Sequence, residues 1–503
     1  MLKRTALVVT LLAGATPALA QTPPPDQNPS GGDQTPPTPP TPPDAPAAPT
    51  APAAPAAPDA PPHMAPVPNE PPPPPPPEAA HPMVHSKWDA TLYGFVEADS
   101  MYDSTQGLFE SIGNGALPRP HTYAGDHGQM TYGARNSRFG IRLKAPEFDH
   151  IKPSAQLEMD FLGNQPGKPF DATGLVGEGA FFQNATVRYR HLNVKLETPV
   201  VDLLFGQYWE LFGWQSYFHP STVEIQGIPG QVYSRTPQIR ISKTIKSDAG
   251  VTVDLAIAAL RPPERASATP DGQAGLKIAF DKLKAWHTAG STGTALDSAA
   301  VGVSVVGRRF AEDEFAAKPS NQVTTDGYGL AVDVLIPIIP ATKESHANAL
   351  TITGEFAQGA GIADLYTGLN FGVAQPTLPN PGMANPAPTY TPDVDNGLAM
   401  FRPNGELLAV KVQSYNVGVQ YYLPPSGRAF VSLVYADINS PNSIDFGSHA
   451  KNWKDESYLT GSLFFDVTPA VRLGLEESLY DMTFNDNVEA KNYRTQFSAF
   501  FIF

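Results

Sequence analysis

The chain contains no cysteine, so disulfides and thiolate metal sites are excluded. From Trp88 onward it also lacks any apolar run of 18 residues, and no membrane-crossing helix can be assembled from it. Positive charge is scarce: 34 Lys and Arg stand against 49 Asp and Glu, for a net charge of -15. A phosphate backbone needs clustered cations, so nucleic acid is not an expected partner. Paired metal-ligand spacing is missing among the eleven His, and no HExxH occurs. Residues 391–397 (TPDVDNG) offer Asp393 and Asp395, but the glycine comes one place too early for an EF-hand and no distal glutamate follows. That stretch reads as a loop turn, with a surface calcium contact as the lesser alternative. Neither a metal nor another cofactor is expected. No Ser/His pair of matched parity stands out for a hydrolase built on a barrel wall, so the chain does not read as an enzyme.

Proline is plentiful but confined. Of 55 prolines, 28 fall in residues 1–83 and 27 in the other 420. The front divides again. Lys3 and Arg4, the apolar stretch 5–15 (TALVVTLLAGA) and Ala18-Leu19-Ala20 form a secretory signal over residues 1–20, with Gln21 opening the mature chain. Residues 21–83 carry seven consecutive prolines at 71–77, repeated APAAPAAP, six carboxylates and no Lys or Arg. Such a composition buries no core and favours extended polyproline conformation, which predicts a disordered periplasmic linker.

Residues 84–503 alternate. Tyr493, Thr495, Phe497, Ala499, Phe501 and Phe503 share one face, while Asn492, Arg494, Gln496 and Ser498 take the other. Val417, Val419 and Tyr421 lead into a Pro424-Pro425-Ser426-Gly427 turn, from which Val431, Leu433 and Tyr435 return. About sixteen such segments are predicted: 90–102, 131–145, 152–163, 181–197, 200–211, 234–245, 249–260, 274–283, 299–310, 324–336, 348–358, 408–422, 428–437, 456–467, 471–482 and 490–503. Long and short connections alternate, except that 284–298 is too long for the short side. A soluble sandwich would also alternate. Export, long connections on one side only and an aromatic final strand ending in Phe favour an all-β transmembrane antiparallel barrel, because lipid satisfies no backbone polar group.

The terminal NYRTQFSAFFIF resembles the last strand of bacterial outer-membrane porins. In that resemblance Phe497, Phe501 and Phe503 are the signal read by the barrel-insertion machinery. Sixteen strands are similar to the trimeric general porins. SRFGIRLKAP (137–146), AQLEMDFLG (155–163), VRYRH (187–191) and GQYWELFG (206–213) resemble the DcaP-type anion porins. The likeness spans roughly residues 88–503. The Pro-rich leader departs from it, since the family carries a helical coiled-coil leader. The resemblance implies a homotrimer in the outer membrane of a Gram-negative bacterium, surrounded by lipid and passing small hydrophilic solutes, anions of the dicarboxylate kind.

Parity then assigns the lumen. If Phe139, Ile141 and Leu143 face lipid, Arg138, Arg142 and Lys144 face inward, and Glu158 and Asp160 follow on the next strand. The same logic turns Arg188, Arg190, Gln238 and Arg240 inward, and adds Lys277 and Arg494. These residues predict a basic ladder whose carboxylates hold the cations apart. In the trimeric porins the third long loop makes the constriction, so Trp209, Phe212, Trp214, Tyr217 and Phe218 are the candidate constriction residues. The expected function is passive diffusion of small anions. The rival is a structural anchor whose leader contacts peptidoglycan or a periplasmic partner.

Overall fold

A computed structural model describes residues 88–503, apart from 109, 111–112, 164–184, 216, 225–226, 265–266, 289, 291–292, 317–318, 341–344 and 378–393. The signal and leader expectations lie outside the described residues. So does Asp393.

The strands in chain order are β1 (Asp89–Asp103), β2 (Gln129–Gly133), β3 (Arg138–Lys144), β4 (Lys152–Gly163), β5 (Thr186–Glu197), β6 (Asp202–Trp209), β7 (Arg235–Ser247), β8 (Val251–Leu260), β9 (Asp271–His287) and β10 (Ala295–Asp313). They continue with β11 (Gln322–Ile339), β12 (Leu350–Ala360), β13 (Ala399–Phe401), β14 (Leu407–Ala409), β15 (Lys411–Tyr422), β16 (Ala429–Asn439), β17 (Trp453–Thr468), β18 (Val471–Phe484) and β19 (Glu489–Ile502). Neighbours pair antiparallel in sequence order, except that β13 and β14 form a separate hairpin inside the 361–410 connection. The sheet closes on itself where β1 meets β19, with Phe95 opposite Ile502 and Asp103 opposite Arg494. Both β2 and β3 pair with β1, so together they make one stave of a sixteen-strand barrel.

Alternation explains the wall. Along β10, Val301, Val303 and Val305 are exposed while Gly302, Ser304 and Val306 are buried. Ile239 and Ile241 of β7 and Leu255 and Ile257 of β8 continue the same exposed apolar surface. Branched residues suit a pleated sheet, and only closure leaves no unpaired strand edge in lipid. Phe497, Phe501 and Phe503 lie on this outer face.

Two departures from the predicted strands have physical causes. The 131–145 segment is interrupted at Arg135, Asn136 and Ser137, which are all buried. Arg135 pairs with Glu110, Asn136 donates to Asp99 (3.1 Å), and Ser137 Oγ accepts from Glu97 N (3.0 Å). Three consecutive inward side chains cannot fit a two-residue period. The over-long 284–298 connection, in turn, is mostly strand. β9 and β10 extend to His287 and from Ala295, with a register shift at Ser298/Ala299 that absorbs the extra residues of β9 and hides the alternation.

The barrel interior is not an empty tube. Leu108 and Leu117 from the first long connection, Phe212, Ile228 and Val232 from the third, and Leu365, Phe371, Met400 and Phe401 from the sixth join one buried apolar cluster with wall residues such as Phe310, Trp453 and Tyr480. Burying these connections inside the barrel narrows its water-accessible space.

Candidate functional site: the basic wall and the third connection

Strand pairing places Arg138 opposite Asp160 and Asp160 opposite Arg188. The side chains interlock along that row. Arg188 donates to both oxygens of Asp160, from Nε at 2.9 Å and Nη2 at 2.5 Å. Arg190, with no solvent exposure, reaches Glu158 Oε1 (2.7 Å), Asp160 Oδ2 (3.1 Å) and the Tyr233 hydroxyl (3.0 Å). Arg138 shares Glu158 at 3.7 Å. The carboxylates thus stand between guanidiniums, which lowers their mutual repulsion without cancelling their excess.

A β-bulge sets this geometry. Glu158 pairs with His191 and Met159 with Tyr189, leaving Arg190 as the extra residue of β5. Arg190 and His191 are therefore both buried, and beyond them Leu192 and Val194 take over the outer face from Val187 and Tyr189. The Gln207 amide donates to the freed carbonyls of Tyr189 (2.9 Å) and Arg190 (3.2 Å). The change of outward phase between Tyr189 and Leu192 is the sequence signal that would have revealed His191.

The other predicted lumen residues divide by position. Arg142 lies over the Tyr93 ring at 4.0 Å, and Tyr93 in turn donates to Glu158 (3.0 Å). Gln238 donates to the carbonyls of Tyr208 and Trp209, both at 3.1 Å. Arg240 donates to Gln238 (2.9 Å) and to the Trp209 carbonyl (2.6 Å). Lys144 is exposed at the short-turn end of β3, opposite Asp89. Lys277 pairs with Asp254 (3.3 Å) and lies 3.9 Å from the Tyr217 ring centre. Arg494 is fully buried and committed to Asp103 through two 2.8 Å bonds.

The connection from Glu210 to Ser234 crosses the barrel interior. Gln273 accepts from Leu211 N and Phe212 N, Ser304 from Gly213 N, Glu476 from Val223 N (2.6 Å) and Glu355 from Val232 N (2.8 Å). Wall strands β9, β10, β12 and β18 thereby hold one loop from several sides. Its predicted aromatic residues do not share one place. Phe212 belongs to the large buried cluster, while Phe218, with Trp214 and Tyr217 beside it, packs on Ala279, Ala285 and Ala300. Gly275 and Gly302 make the seat: a Cβ there would come within 3.0 Å and 2.8 Å of Trp214. Trp209 alone of the five lines the larger cavity.

That inner cavity, about 540 Å³, is bounded by Arg138, Arg142, Trp209, His219 and Tyr233. It also touches Phe503 and Ala295, which lie at the short-turn end of the barrel. An outer cavity of about 500 Å³ is lined by Glu210, Arg235, Arg261, Asp271 and Arg308 at the long-connection end. Asp395, from the TPDVDNG stretch, lines it too. Among the described residues no group of three or more metal-ligating side chains converges.

Arg235 and Tyr233 did not emerge from parity. Arg235 shares the odd positions of Pro237, Ile239 and Ile241, which face outward, yet its guanidinium sits over the Trp209 and Tyr233 rings at 4.8 and 5.1 Å. At the first residue of a strand, alternation has not yet taken hold.

No protein-family model and no curated protein matches the chain. Solved structures do. Its fold is similar to that of the outer membrane channel DcaP of Acinetobacter baumannii, at 16% identity and TM-score 0.58, covering 83% of this chain and 97% of that one. An anion-selective porin from Comamonas acidovorans is also matched, at 12% identity and TM-score 0.46, over 83% of this chain and 100% of that one.

Proposed function

We propose that the chain is an outer-membrane porin for passive diffusion of small hydrophilic solutes, with a preference for anions of the dicarboxylate kind. The observation that carries this reading is the wall formed by β3 to β7. Arg138, Arg142, Arg188, Arg190, Arg235 and Arg240 stand there against Glu158 and Asp160, which Arg138, Arg188 and Arg190 share. Transport of this kind needs no chemistry. It needs weak, repeated binding that lets a solute both enter and leave, and water that keeps the charges hydrated. Salt screens the attraction over about 8 Å at physiological strength, while the low-dielectric wall focuses what remains.

The closed barrel with an apolar outer face supports a location in the outer membrane of a Gram-negative bacterium, and the similarity to DcaP supports the porin reading. Assembly as a homotrimer and recognition of Phe497, Phe501 and Phe503 by the insertion machinery belong to the same proposal. Reversal potentials of single channels in a salt gradient test it. Anion preference is expected, and the Arg138→Ala, Arg190→Ala double variant should reduce it. Cation preference would overturn the anion reading, and absence of conductance the porin reading.

A further inference from the structure

The two cavities are separated by a partition built from two elements. Trp209 ends β6, Tyr233 is the next-to-last residue of the third connection, and their rings meet edge to face at 4.8 Å. His219 packs against both, at 5.6 and 5.4 Å. A guanidinium lies near the pair from each of two strands: Arg190 of β5 at 5.6 and 5.9 Å, and Arg235 of β7 at 4.8 and 5.1 Å.

The two cations are held very differently. Arg190 is clamped by Glu158, Asp160 and Tyr233, and it has no solvent exposure. Arg235 pairs with no carboxylate among the described residues, and its Nη1 is buried without a hydrogen-bond partner. It touches the outer cavity directly, whereas the two rings beneath it line the inner one. Aromatic faces hold a cation through its charge and area and leave its N–H donors unspent. The energy balance follows. A buried donor without an acceptor costs on the order of a hydrogen bond, and an oxyanion arriving from the outer cavity would satisfy it.

We propose that Arg235 is the selectivity-determining residue of the passage between the cavities: its unpaired guanidinium accepts a small oxyanion from the outer cavity and hands it across the Trp209–Tyr233 partition. The inference rests on the porin reading. Arg190 serves as the fixed side of the gate, because moving it would break three bonds at once. Arg235 serves as the exchanging side, because its forked donors match a carboxylate or sulfate and no described residue competes for Nη1.

The test compares the full-length protein with Arg235→Gln and Arg235→Lys in planar bilayers, in gradients of potassium chloride and potassium sulfate. A unit charge about 7 Å from a permeating ion in water-like dielectric changes its occupancy about threefold. Arg235→Gln should lower anion occupancy and raise cation occupancy by that factor each, so the anion-to-cation permeability ratio should fall about ninefold. Arg235→Lys should keep the chloride preference and lose sulfate preference, since an ammonium offers charge without the fork. An anion-selective parent whose ratio is unchanged in Arg235→Gln overturns this inference and leaves the porin reading standing. Should Arg235→Gln fail to fold, unchanged sulfate preference in Arg235→Lys overturns it equally. A parent that does not conduct overturns both.

Discussion

Arg190 offers the deepest single probe of the basic wall. Replacing it by Met keeps most of its volume and removes three charge-assisted bonds, to Glu158 (2.7 Å), Asp160 (3.1 Å) and Tyr233 (3.0 Å). At roughly 1.5 to 3 kcal/mol each, the gross loss is on the order of 4 to 9 kcal/mol. Two effects reduce it. Glu158 keeps Arg138 (3.7 Å) and Tyr93 (3.0 Å), and Asp160 keeps both donors of Arg188, so neither carboxylate is stranded. Removal also relieves repulsion from Arg138 and Arg188, which share those carboxylates. The net cost should fall near about 3 kcal/mol, the lower end for breaking a buried pair. Equilibrium urea unfolding in lipid vesicles, followed by tryptophan fluorescence, reads it. A double-mutant cycle with Glu158→Gln should return a coupling of about 1 to 2 kcal/mol. A cost below about 0.5 kcal/mol would refute the view that Arg190 is the fixed member of the wall.

Three other expectations concern separate parts of the molecule. Glu355→Ala removes the acceptor of Val232 N and should cost about 2 kcal/mol, with noisier open-channel current as the third connection loosens; a quiet channel of unchanged stability would contradict the latch. Glu477 faces outward between Leu475 and Leu479 and accepts from Thr495 (2.9 Å), so in lipid Glu477→Leu should strengthen folding into vesicles by about 1 kcal/mol, and weaker folding would show that this face is covered by another surface. In the loops, hydrogen bonding to Arg119 holds the Asp486 carboxyl below its usual range. A depressed value means that this contact contributes above the ordinary carboxylate pKa and is lost as pH falls through the lowered one. Protection of the 485–488 turn from hydrogen exchange should therefore persist at pH 5 and disappear only in stronger acid, in contrast to Arg119→Ala.

The barrel was legible in the sequence because its cause is local. Each strand alternates so that one face is apolar and exposed, and β15 to β19 repeat that pattern with almost no interruption. Where the backbone breaks period, legibility ended. Ala134 to Ser137 split a predicted strand into β2 and β3, and the extra residues of β9 made two strands look like a long link. The ladder residues were named from the same parity, and Arg138, Arg188 and Arg190 do meet around Glu158 and Asp160. His191 and Arg235 were missed because a bulge and a strand end set their directions.

By itself, then, the sequence determined the closed antiparallel wall, the exclusion of membrane-crossing helices and of disulfides, and the outer face wherever the two-residue period runs unbroken. These follow from composition and a two-residue period, which need no knowledge of distant partners. Only the tertiary structure decided what fills the barrel. The third connection crosses it because acceptors 61 to 253 residues away in sequence, Gln273, Glu355 and Glu476 among them, take its backbone donors. Trp214 turns to the wall because Gly275 and Gly302 leave room for it. Such contacts join residues that no local pattern relates, so the meeting of the inner and outer cavities around Trp209, Tyr233 and Arg235 appears only when the chain is folded.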